Sequence, residues 1–227
     1  DMDGFKQAEE AHSLISGGGQ AMGEIESAEV YRDLLTTLVE SNQLPTNGVE
    51  YNPYEESSVK SRVVAMLQNG RQVENAIVGD KVEVLLATTH FYVESGGQVS
   101  DTGTIEGDGW TIEVEGMKKP VGGIIVHVGE VVEGNPKVND DVTATVDFVR
   151  RQDIKRHHTG THLLHAALRN TLGTHVQQRG SLVAPDRLRF DFSHDEKVSD
   201  ADLAKIEREV NDIILKNYVV KDESKSL

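Results

Sequence analysis

The sequence contains no cysteine. No disulfide framework can form, and no zinc site can be built from thiolates of this chain alone, an absence that suits a cytoplasmic protein. No hydrophobic run approaches the roughly 20 residues needed to cross a bilayer. The acidic opening DMDGFKQAEE lacks the basic flank and apolar centre of a signal peptide. The chain is therefore read as soluble, with no membrane partner. Aromatic residues are few, at 5%, yet 37% apolar content over 227 residues is enough for one large core or two modest ones. Both ends, Asp1 and the closing KDESKSL after what looks like the start of a strand, read as cut from something longer.

What the chain has in excess is negative charge, a net −15, which at first argues against nucleic acid. The distribution is uneven. Between Arg150 and Phe190 there are eight Lys or Arg and two Asp, a local balance of +6 that leaves −21 on the rest of the chain. A basic island of this kind can take a polyanion, because phosphate affinity comes largely from local charge; the alternative is a solvated surface with chance clustering.

Three regions differ in periodicity. Residues 1–50 read as a helical leader and linker, with helices over Phe5–Ile15 and Ala28–Glu40 around the glycine run SGGGQAMG. In the second helix Val30, Leu34, Leu35 and Leu38 share a face that should pack against something. The turn-rich SNQLPTNGVEYNPY marks a boundary. Residues 51–150 alternate with period two, as in Val142, Ala144, Val146 and Phe148, with short turns between runs; this predicts an antiparallel all-β region, a small β-barrel or a strongly curved sheet, where closure would remove exposed sheet edges. Residues 151–227 predict a helix over about Asp153–Leu172 ended by Gly173, a hairpin, and a helix capped by Ser199 and Asp202 that carries Leu203, Ile206, Val210, Ile213 and Ile214 at helical spacing. The fold class is α+β: a helical N-terminal leader, an antiparallel β-barrel, then a partial α/β domain.

Five of the nine histidines fall within RHHTGTHLLHAALRNTLGTHVQQRGSLV, residues 156–183. Four-residue spacing on a helix lets His158 and His162 present imidazoles to one point, with His165 near the same stripe. The spacing is that of the zinc peptidase motif, but HTGTH has no Glu to act as base, which disfavours a peptidase. A metal site and a histidine-rich polar face against RNA phosphates both remain open. Gly160 inside this helix costs about 1 kcal/mol relative to Ala and hints at a close backbone approach. The run Glu94-Ser95-Gly96-Gly97-Gln98 reads locally as a glycine turn. His175 and Gln178 alternate with Val176, as on a strand. No phosphate-binding loop, dinucleotide fingerprint or nucleophile elbow is present.

The runs THFYVESGGQVSDTG, RHHTGTHLLHAALR, LGTHVQQRGSLV and DRLRFDFSH, in this order and spacing, resemble the editing region of the alanyl-tRNA synthetases. The likeness extends from about residue 50 to the C-terminal end, and more loosely over the first fifty residues, which resemble the family's connecting segment. It implies a β-barrel followed by the N-terminal half of an editing domain that hydrolyses serine or glycine wrongly attached to alanine tRNA. It further implies Zn2+ held by His158 and His162, with a cysteine and a histidine of a CxxxH motif that this chain does not contain, and a pocket lined by Gly96, Gly97, Gln98, Thr161 and Gln178. The partners implied are the tRNA(Ala) acceptor end and the remainder of the synthetase polypeptide. ATP and Mg2+ belong to the parent's upstream aminoacylation part. The family usually has alanine in place of Gly160 and proline in place of His90. With two of four zinc ligands, the chain alone is expected to be inactive; the alternatives are a non-catalytic tRNA-binding module and a free-standing editing protein.

Overall fold

A computed structural model of the chain describes the backbone of residues 21–219, and side chains from residue 28 on. The helix expected over Phe5–Ile15, most of the glycine run and the last residues from 220 onward lie outside this range. The described residues form two compact units, one of residues 21–93 and 100–147, the other of residues 94–99 and 148–219.

In the first unit, helix α1 (Ala21–Glu40) starts seven residues earlier than its apolar spacing suggests and includes the end of the glycine run. Tyr31, Leu34 and Leu38 are buried in the same cluster as the strands, and so are Leu44 and Val49 of the expected boundary segment. Burial of each large side chain contributes about 1.5–3 kcal/mol, which anchors the helix. The strands are β1 (Glu50–Tyr51), β2 (Ser58–Gln68), β3 (Arg71–Gln72), β4 (Lys81–Leu86), β5 (Thr88–Thr89), β6 (Gly103–Gly107), β7 (Trp110–Lys118), β8 (Val126–Glu133) and β9 (Asp141–Val146).

Six of them close into an antiparallel barrel in the order β2-β4-β8-β7-β6-β9, β9 returning to β2. Strand β2 makes this possible because it is long enough to pair twice. Its first half runs along β9 from Ser58↔Thr145 to Arg62↔Asp141, and its second half along β4 from Val63↔Leu86 to Leu67↔Glu83. A register shift between Val63 and Ala65 bends the strand where it changes partner, as β-bulges do at barrel corners. The burial pattern changes there too: alternation precedes Val63, and Val63–Leu67 are all buried, so both faces of that stretch are covered. Val142, Ala144 and Val146 are buried on β9 as their alternation predicts, but Phe148 is 58% exposed and opens the next helix. His90 uses Nδ1 to donate to the Glu56 carbonyl at 2.8 Å, a bond that proline could not make.

The second unit contains α2 (Phe148–Leu172), β10 (Gln178–Val183), β11 (Leu188–Phe192) and α3 (Asp200–Lys216). Its core is Ala167, Leu168, Val176 and Ile206, with Leu164, Leu172, Phe190, Phe192, Val198 and Val210 packed against it. Helix α2 starts five residues before the expected Asp153, because FVRRQ contains neither Gly nor Pro to stop it. It ends as expected at Gly173, whose φ of +119° needs no side chain. The strand expected at His175 starts later, at Gln178, since Val176 N–H turns back to the Gly173 carbonyl. Helix α3 has the expected cap, Ser199 Oγ accepting from Asp202 N–H at 3.1 Å. Of its apolar stripe Ile206 is buried, whereas Leu203 and Ile214 stay about half exposed. None of the described helices is long and apolar enough to cross a membrane.

A close approach does not explain Gly160. A Cβ at this position would meet only the Leu188 side chain, at 3.4 Å, an ordinary contact. Gly160→Ala is expected to raise the unfolding free energy of this unit by about 0.5–1 kcal/mol, through helix propensity alone, as measured by denaturant titration. A loss of stability would show that the helix backbone is held in a form alanine cannot take.

Candidate functional site

The site is built on a turn, a helix and a strand of one unit. The sequence ESGGQ makes a two-residue hairpin turn in which Ser95 and Gln98 exchange both backbone hydrogen bonds, at 3.2 and 3.0 Å. Gly96 and Gly97 have φ of +61° and +86°, the two positive values that a type I′ turn requires and that glycine takes without steric cost. The turn then docks on β10. Val183 N–H donates to Gly97 O at 2.7 Å and Val99 N–H to Val183 O at 3.0 Å, so Gln98 forms a single parallel bridge with Val183 of β10.

This docking aims the Gln98 side chain at α2. Gln98 Oε1 lies 2.7 Å from His158 Nδ1, and His158 Nε2 lies 3.2 Å from His162 Nε2, the rings 5.1 Å apart between centroids. The i, i+4 pairing expected from the sequence is therefore formed. Burial, and then the charge of His162, push the His158 pKa below its usual value, which favours the neutral imidazole that a metal needs. Zn–N bonds of about 2.0–2.1 Å in a tetrahedron put two nitrogens about 3.3 Å apart, so the pair fits two of four zinc positions. Among the described residues, no group of three or more His, Cys, Asp or Glu gathers to hold a metal.

The other residues of the expected site have varied roles. Thr161 is buried, and its hydroxyl donates to the His157 carbonyl at 2.8 Å, back along its own helix. Gln178 is exposed at the start of β10, opposite Phe192. Gly96 is exposed with open space around it. His165 leaves the pair: its ring packs against Phe190 at 5.0 Å, and its buried Nε2 has no hydrogen-bond partner among the described residues. His157 Nδ1 donates to the Ala184 carbonyl at 2.7 Å, tying α2 to the hairpin. Sequence reasoning also missed a second pair, in which His175 Nε2 lies 2.9 Å from His194 Nδ1; nineteen residues separate them, and only the hairpin brings them together. In the basic island, Arg156, Arg187 and Arg189 face Asp153, Asp186 and Asp191, and Arg169 donates to the Val176 carbonyl. Lys155 and Arg179 are exposed.

A profile of the family described as tRNA synthetases class II (A) matches residues 1–150, the leader and the barrel. The chain belongs to the class II (A) tRNA synthetases. Similar members of known name are alanine–tRNA ligases. That of Chelativorans sp. (strain BNC1) is 41% identical over 225 residues, 97% of this chain and 24% of the relative. That of Ruegeria sp. (strain TM1040) is 42% identical over 97% of this chain and 24% of its own length. That of Carboxydothermus hydrogenoformans is 47% identical over 173 residues, 76% of this chain and 20% of the relative. The chain thus spans about a quarter of the length of these synthetases. The family profile stops before the histidine cluster, whereas the alignment with the Chelativorans ligase, at 97% of the chain, runs through it. The resemblance to the alanyl-tRNA synthetases holds.

Proposed function

We propose that this chain is the barrel and the first half of the editing domain of an alanine–tRNA ligase, and that His158 and His162 supply two ligands of a zinc ion at which mischarged seryl- or glycyl-tRNA(Ala) is hydrolysed. The observation that carries this reading is the His158–His162 pair, with 3.2 Å between its Nε2 atoms. The chemistry that zinc supplies, when bound, is polarisation of a water or of the ester carbonyl. The aminoacyl ester is already activated, so the protein's task is to place that water and the amino acid. The docked turn, which carries Gly96 and Gly97 and reaches α2 through the Gln98 side chain, would form one wall, and Gln178 another edge.

The tRNA acceptor end would approach Lys155 and Arg179, whose exposed basic groups favour phosphate. Completion of the metal site requires ligands from the rest of the ligase polypeptide, so the chain by itself is expected to be inactive. Alanine attachment, with ATP and Mg2+, would take place elsewhere in that polypeptide, in the cytoplasm.

The test uses the full-length ligase. His158→Ala with His162→Ala is expected to lower bound zinc and the deacylation of seryl-tRNA(Ala) by about tenfold or more, with alanine attachment unchanged. Both side chains are exposed on a helix, where alanine is well tolerated. Unchanged deacylation would sink the assignment. The second reading, a tRNA-binding module without chemistry, rests on the basic residues. Lys155→Ala with Arg179→Ala would then weaken tRNA binding and flatten its salt dependence while deacylation at saturating tRNA stays the same.

A further inference from the structure

We infer that Gln98 is a positioning residue: it holds His158 as the Nδ1–H tautomer and so leaves the Nε2 lone pair facing His162. The inference rests on the metal reading above for its purpose, but on geometry for its content. An amide oxygen can only accept a hydrogen bond, so Gln98 Oε1, 2.7 Å from His158 Nδ1, requires the proton to sit on Nδ1. The other nitrogen, Nε2, is then unprotonated and accepts from His162 Nε2 across 3.2 Å. A divalent cation held by this pair would need both Nε2 lone pairs: His158 already offers its own, and His162 would offer its own as the Nδ1–H tautomer, its proton passing from Nε2 to Nδ1 by exchange with water. Without Gln98, His158 would revert toward the Nε2–H form that imidazole prefers in water, and its metal-facing nitrogen would be blocked.

Three features mark this as a built arrangement. First, Gln98 and His158 are sixty residues apart, so their contact exists only because the turn is docked. Second, the docking is made by main chain, through Gly97 and Val99 to Val183, so the amide side chain is not needed to hold the turn. Third, ligand histidines in metal sites almost always donate their second nitrogen to an outer partner that fixes the tautomer, and Gln98 occupies that place. Gln98, expected to line the pocket, would on this inference also act behind the ligand.

The experiment uses the metal-free 227-residue chain with isotope-labelled histidine, at a pH where imidazoles are neutral. Nitrogen–proton correlation spectra should show His158 as Nδ1–H in the wild type, shifted toward Nε2–H in Gln98→Leu, and restored in Gln98→Glu, whose carboxylate also accepts. Protection of the Val183 amide should be equal in all three, which shows the turn still docked. Zn2+ alone, titrated into the same proteins, should bind about 10–100-fold more weakly to Gln98→Leu. An Nε2–H tautomer in the wild type, or the same tautomer in wild type and Gln98→Leu, would overturn the inference. A tautomer that follows Gln98 in a chain that takes up no zinc, with zinc also absent from the full-length ligase, would uphold the positioning and defeat the metal reading instead.

Discussion

Gly97→Ala is expected to release the ESGGQ turn from β10 while leaving the barrel folded. A Cβ at Gly97 would lie 2.3 Å from the Ser181 carbonyl oxygen and 2.8 Å from its carbon. Both are backbone atoms of a strand paired with β11 through Ser181↔Phe190, so they cannot retreat without breaking that ladder. The φ of +86° adds about 1–2 kcal/mol of strain for any L side chain. The cheaper response is loss of the two hydrogen bonds to Val183, each contributing about 0.5–1.5 kcal/mol. Together these give about 2–5 kcal/mol, so the Val183 and Val99 amides should exchange about 30- to 5,000-fold faster than in the wild type. Gly96 is the control. It has a positive φ but nothing within 4 Å of an added Cβ, and asparagine is at home in a type I′ turn. Gly96→Asn should leave Val183 protection unchanged; equal exchange in Gly97→Ala and wild type would refute the docking.

Acid should weaken the barrel through one buried histidine. His127 is fully buried on β8, with Nδ1 donating to the Val84 carbonyl at 3.1 Å and Nε2 accepting from the Thr89 hydroxyl at 2.8 Å. Thr89 Oγ1 in turn accepts from Phe91 N–H at 3.2 Å, and the Phe91 ring meets the imidazole edge-on at 5.1 Å. Burial pushes the His127 pKa down to about 4, only partly offset by the Val84 carbonyl. In the unfolded chain it titrates near the usual value of about 6.5. Protons thus bind the unfolded state first. The neutral histidine's contribution is fully present above about pH 6.5, declines as pH falls toward about 4, and is then lost, a total of about 3 kcal/mol. The sole tryptophan, Trp110, is buried on β7 with Nε1 donating to Asp140 at 2.8 Å, so its fluorescence reports on the barrel. Denaturant titrations of wild type and His127→Gln, which does not titrate, should diverge by about 3 kcal/mol between pH 7 and 4. Carboxylate titration is common to both and cancels. Parallel curves would mean that His127 is protonated in the folded state or reached by solvent.

The parts of this structure that could be read from the sequence are those whose cause is local. Ser199 with Asp202, Gly173 after Leu172, and the alternation of Val142, Ala144 and Val146 each involve a few neighbouring residues, and each formed as expected. The four-residue spacing of His158 and His162 is equally local, and the pair formed. Misreadings arose where a long-range partner decides. Phe148 continues the β9 alternation in sequence but belongs to α2. His165 lies one turn from the pair, yet Phe190 draws its ring away. The closure of β9 on β2 joins residues 87 apart at Ser58 and Thr145, and no local signal marks it. Gln98 stands within a turn whose form the two glycines announce, while its target lies on another element.

The ESGGQ turn also has a consequence for how such a chain can be divided. Residues 94–99 belong with the α2–α3 unit although they are encoded between two segments of the barrel unit. A gene cut at the Asp147–Phe148 junction would separate the elements by sequence but not by structure. The downstream piece would carry His158 and His162 without Gln98, and β10 with its Val183 backbone groups uncovered. The two units are thus not interchangeable cassettes: a swap of the barrel for another would also replace the turn, so recombinants must carry residues 94–99 from the same parent as residues 148–219.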